Sequence, residues 1–164
     1  MTEPTTTLKN MLALTNEGIS VLSDLNISLD KELEALKVRD IETTLEINQK
    51  KQQLLNLFNQ NNLQRSEALS IAGLSNDKAG LDSLLDSNTD LQLASLFQTA
   101  WNQLESTLKT CMDANVRNEQ VLLRNRQNIE QFLSVLRGKK SSNTLYNAQG
   151  SKGDFSGQSH IGKA

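Results

Sequence analysis

One apolar stripe governs what this chain can fold into. Phe97, Trp101, Leu104, Leu108, Cys111, Asn115, Asn118, Leu122, Asn125, Ile129, Phe132 and Leu136 succeed one another in unbroken alternation of four- and three-residue steps. That spacing belongs to a long helix packed along another helix, with its seam on one side. Asn115, Asn118 and Asn125 form a polar seam within it. A buried amide without a hydrogen-bonding partner costs about 1–3 kcal/mol, so each needs a partner or water. Two readings stay open: the asparagines set register and orientation, or they loosen the seam so that it opens.

The first half of the chain has the same character with one interruption. Pro4, the only proline, suits a first helical turn, where no intrahelical amide bond is lost. Leu8, Leu12, Ile19, Leu22, Leu29, Leu33 and Leu36 keep helical spacing, and Gly18 costs about 1 kcal/mol against alanine. Around Val38-Arg39-Asp40 the phase slips by one residue, which unwinds or bends a coil. The stripe resumes at Ile41, Leu45, Leu55 and Phe58. Gly73 predicts a left-handed C-terminal cap, with Leu74 packing back on the last turn. Residues 73–89 read as a connector with a short helix at Leu81–Asp86, and Ser87-Asn88-Thr89-Asp90 as a helix start.

These features predict an all-α fold: a long antiparallel helical hairpin or coiled-coil-like bundle with a short connecting helix and a flexible C-terminal tail. The helical domain spans 1–137. Residues 138–164, with five of the eight glycines and no periodicity, form the Gly/Ser-rich tail. If two rods fold back on each other, facing residues sum to about 160. That places Asn115 near Leu45 and Asn48, and Asn118 near Glu42 and Thr43. It leaves Leu8, Leu12, Ile19 and Leu22 without a partner on the second rod. Such a stripe is either buried by a bend, a second copy or the tail, or it is a docking surface.

Most chemistry is excluded by what is missing. The 17 basic and 19 acidic residues leave a net charge of −2, which gathers no phosphates, so nucleic acid is not an expected partner. The tail's Lys139, Lys140, Lys152 and Lys163 against Asp154 read as solubility. Cys111 is alone, so no internal disulfide and no cysteine-only metal site form, and its seam position makes it a small buried hydrophobe. His160, the only histidine, stands in the tail away from any catalytic group. No apolar run approaches the roughly 18 residues of a membrane span, and residues 1–10 lack signal-peptide character. The expectation is a soluble, cytoplasmic protein that is not an enzyme and uses no cofactor or metal.

Leu33-Glu34-Ala35-Leu36 with Arg39-Asp40, then Lys51, Leu54-Leu55 and Arg65 before Gly73-Leu74, resemble the first half of FlgN-type flagellar export chaperones. Asn115 and Asn118, Leu122-Leu123, and Thr144-Leu145-Tyr146-Asn147 with Gly150 are similar to the second half. The resemblance runs over nearly the whole chain; the departures are the Asn/Gln-rich stretch Asn59–Gln64 and the end beyond Gly150. It implies a chaperone that binds the helical terminal segment of hook–filament junction proteins of the FlgK and FlgL kind. It also implies delivery of that client to the export gate or ATPase complex of the flagellar type III apparatus. The exposed apolar end of the second rod places client binding at Ile129, Phe132, Leu133 and Leu136, joined by Leu145, Tyr146 and Phe155 of the tail. Tyr146 matches the family's tail tyrosine, with contact to client or export gate as one reading and packing on its own hairpin as the other. The rival reading is a generic coiled-coil adaptor or structural oligomerisation protein, of which a homodimer is the simplest form.

Overall fold

The computed structural model describes residues 4–137. The tail expected at 138–164 lies outside the described residues, and with it Leu145, Tyr146, Phe155 and His160. Four helices make up the described chain: α1 (Pro4–Val38), α2 (Ile41–Ile71), α3 (Lys78–Asp86) and α4 (Leu91–Leu136). The fold is all-α with a short connecting helix. Two units divide after Leu122: the first holds α1, α2, α3 and α4 up to that residue. The second, in its described residues, is the remainder of α4 and Arg137.

The phase slip at Val38-Arg39-Asp40 is a full chain reversal. Arg39 adopts φ 59°, the left-handed region that non-glycine residues seldom enter. The Arg39 amide donates to Leu36 O at 3.3 Å and the Asp40 amide to Ala35 O at 2.9 Å, the paired bonds of a Schellman end. Asp40 at once caps α2, its carboxylate accepting from the Thr43 amide at 3.0 Å and from the Thr43 hydroxyl at 2.8 Å. Those bonds hold the Asp40 carboxyl below its ordinary value. Gly73, at φ 74°, ends α2 in the same way, with Leu74 donating to Leu69 O at 2.9 Å and packing on the core beside Leu69. This is the cap expected from Gly73-Leu74.

Within the first unit the reversal makes α1 and α2 antiparallel. Asn61 of α2 meets Leu14 of α1, and Lys51 meets Glu32, so residue numbers fall on one helix as they rise on the other. The second reversal, through α3, turns α4 parallel to α1: Cys111 meets Leu22 and Asn118 meets Leu29, both at a spacing of 89 residues. The expected position of Asn118 beside Glu42 and Thr43 is therefore corrected. That position assumed an unbroken first rod; folding it at Arg39 brings α1 alongside this part of α4 instead. Of the stripe that lacked a partner, Leu8 and Leu22 are completely buried and Leu12 and Ile19 half-buried. Ile41 and Leu45, read as its continuation, are exposed.

Apolar burial gathers in two clusters. Leu8, Met11, Ala68, Leu69, Leu84, Leu93 and Phe97 surround the α3 end, and Leu22, Leu25, Leu29, Leu54, Leu104, Cys111 and Ala114 form the other. Each fully buried leucine or phenylalanine contributes about 1.5–3 kcal/mol. Trp101, half-buried, packs against both clusters. Its ring stands 5.8 Å from that of Phe97 at an interplanar angle of 40°.

Candidate functional site

Two polar crossings interrupt this apolar interior and bind the helices in register. In the first, the Asn61 amide, 2% exposed, donates to Leu14 O at 2.9 Å. Arg65 donates to the Asn61 carbonyl oxygen and, at 3.2 Å, to that of Asn62. The Arg65 guanidinium also lies 5.6 Å from the Phe58 ring and 6.0 Å from that of Trp101. Burial lowers its pKa from the usual arginine value, and the aromatic faces offset part of the lost hydration. Gly18 makes room: a Cβ there would come within 2.7 Å of Arg65 Nη1, 2.8 Å of Asn61 Oδ1 and 3.1 Å of Leu104 Cδ1.

The second crossing joins α1, α2 and α4. Asn118, also 2% exposed, donates to Leu29 O at 2.7 Å and to Glu32 Oε2 at 2.8 Å. Glu32 accepts from Lys51 Nζ at 2.9 Å on both oxygens. Arg117 donates to Asn118 Oδ1 at 3.1 Å and to Asp30 at 3.0 Å. A buried ion pair adds little net stability, because desolvation offsets attraction, but any other register leaves a charge stranded. Of the polar seam residues, Asn118 lies at this crossing. Asn115 is half-buried and donates to Glu119 at 2.9 Å, and Asn125 is half-buried. Lys51 and Arg65 were singled out in the sequence only as residues of the family resemblance, and their pairing with Glu32 and Asn61 was missed; the signal available for the second was Asn61 and Arg65 four apart, a charged residue and an amide aligned on one helical face.

Outside these crossings, three features present themselves for binding. A cavity of about 440 Å³ is lined by Arg65, Phe97, Trp101, Glu105, Asp77 and Asp82 among others. Trp101 Nε1 donates to Glu105 there at 2.9 Å. A more open groove of about 690 Å³ runs along the α1–α2 reversal, lined by Ile27, Ala35, Val38 and Ile47. The third feature belongs to α4 itself. Leu104 is 4% exposed and Asn118 2%, whereas on the same stripe Ile129 is 49% and Phe132 65% exposed. Leu133 and Leu136 are exposed as well. All four client-binding residues expected within the described chain thus lie on the second unit's helix, and they bring together an open apolar strip two turns long. The three expected in the tail lie outside the described residues. Among the described residues no three His, Cys, Asp or Glu gather in the manner of a metal site. None of the described helices is long and apolar enough to cross a membrane.

Comparison with known proteins agrees with this architecture. The family model for the FlgN protein matches residues 1–153. A crystal structure described as a flagella synthesis protein FlgN of Pseudomonas aeruginosa is similar, with a TM-score of 0.60 and 29% identity. That similarity covers 76% of this chain and 94% of the Pseudomonas chain. Among curated proteins none matches. With the family model spanning nearly its whole length, this chain belongs to the FlgN family, and a flagellar chaperone role is the function that membership supports.

Proposed function

We propose that this chain is a cytoplasmic export chaperone that binds FlgK- and FlgL-like hook–filament junction proteins and delivers them to the flagellar type III export apparatus. It acts as a non-enzymatic carrier. The observation that carries this reading is the fate of the α4 stripe: in the first unit Phe97, Leu104, Cys111 and Asn118 are buried, while Ile129, Phe132, Leu133 and Leu136 are exposed. An amphipathic client helix has the geometry to cover such a strip, burying its own apolar face in the process. Covering it removes from the client the surface by which it self-assembles. The tail, 138–164, supplies Leu145, Tyr146 and Phe155 to the same client surface. Tyr146 is the residue proposed for contact with client or with the export gate.

Removal of residues 138–164 tests the tail. The truncated protein is expected to keep its helical circular dichroism and to lose most of its co-purification of a FlgK-like client. Undiminished capture would remove the tail from the mechanism. Light scattering on the full chain, alone and with client, separates a carrier from a structural coiled coil. A carrier forms a complex of defined stoichiometry, whereas a structural coil grows by self-pairing.

A further inference from the structure

The open end of α4 specifies the charge of what covers it. We infer that its partner is an amphipathic helix that carries acidic residues beside its apolar face. This rests on the docking role just proposed for Ile129–Leu136. α4 already shows how it takes a neighbouring helix. In the first unit, Leu104, Cys111 and Ala114 pack against α1, while Arg117 and the buried Asn118 hold the carboxylates of Asp30 and Glu32. α1 has nine residues left after Leu29, and α4 has eighteen left after Asn118. The remaining stretch offers related chemistry: an apolar strip accompanied by Arg124, Arg126 and Arg137, with Glu130, which accepts from Arg126 at 2.9 Å, the only acid among residues 123–137.

Charge along the chain points the same way. Residues 1–122 hold ten Lys or Arg against seventeen Asp or Glu, a net −7, while residues 123–164 hold seven against two, a net +5. The nearly neutral total conceals a basic end. Such an end attracts acidic segments and repels basic ones, chiefly through association rate and partner choice. An anionic membrane surface also attracts basic amphipathic helices. The open strip is only two turns long, and its continuation upstream is a seam already occupied by a helix, so a protein helix is the better fit.

The test uses the full-length protein and two labelled synthetic peptides with identical leucine-rich helical faces, one flanked by glutamate and the other by lysine. Fluorescence anisotropy is expected to show the glutamate peptide binding at least about tenfold tighter at low salt, with the preference shrinking as salt is raised. Reversing charge with Arg124→Glu, Arg126→Glu and Arg137→Glu together should invert the preference while leaving circular dichroism unchanged. Equal binding of both peptides would overturn the acidic-partner inference and leave the docking role standing. If neither peptide binds, the docking role falls and this inference with it. Failure of both peptides alongside binding to vesicles of equal parts phosphatidylglycerol and phosphatidylcholine would assign the basic end to a membrane surface instead.

Discussion

Gly18 illustrates how a residue that looks like a weakness in a helix becomes a requirement of packing. Replacing it with alanine in an isolated helix gains about 1 kcal/mol. Here the new Cβ would meet Arg65 and Asn61 at under 3 Å, inside a hydrogen-bonded layer that has little room to retreat. Gly18→Ala is therefore expected to destabilise by about 1–3 kcal/mol, the usual range for overpacking, read as a lower urea midpoint. Cys111 offers a second check. Its thiol donates to Leu22 O at 3.2 Å in the apolar cluster, and burial pushes its pKa up. Thiolate is the reactive form, so native protein at mildly alkaline pH should resist alkylation by iodoacetamide, and unfolded protein should react quickly. Rapid native labelling would mean that the α1–α4 seam opens. At this scale the sequence was partly legible. Periodicity placed Cys111 and Asn118 in a seam, but the backbone carbonyls that receive their bonds, Leu22 and Leu29, depend on which helix lies alongside.

The elements are punctuated by two Schellman ends, one legible from sequence and one not. Gly73 announced its own left-handed turn, because glycine carries no steric penalty there. Arg39 makes the same turn with a side chain, so only the slip in the apolar phase marked it, and a slip is equally consistent with a bend. Arg39→Gly is expected to relieve the left-handed backbone and stabilise the protein by about 1 kcal/mol, a rise in melting temperature that differential scanning calorimetry would register. A fall would show that the Arg39 side chain contributes more than its backbone costs. α4 is the counterpart case. Its stripe ran unbroken through the sequence as far as Leu136, yet Leu104 and Cys111 on it are buried while Ile129 and Phe132 are exposed.

For the whole molecule, the contrast between buried and exposed residues of the α4 stripe is the property on which the proposed docking role rests. Phe132→Asp and Leu136→Asp replace exposed side chains, so each should leave stability within about 0.5 kcal/mol of the parent, as for most surface substitutions. Client capture by each should nonetheless fall sharply in a pull-down. A large loss of stability in either would mean that the strip is an internal seam rather than a docking face. Helical class, the seam in α4 and the cap at Gly73 were determined by the sequence alone, since spacing and backbone freedom are local properties of a chain. Only the tertiary structure decided that α1 lies parallel to α4, that Glu32, Lys51 and Asn118 converge, and that Leu8 and Leu22 are buried while Ile41 and Leu45 are not. Those outcomes turn on the direction of two reversals. A reversal moves every downstream contact at once, and no periodicity within a helix records which neighbour it will bring.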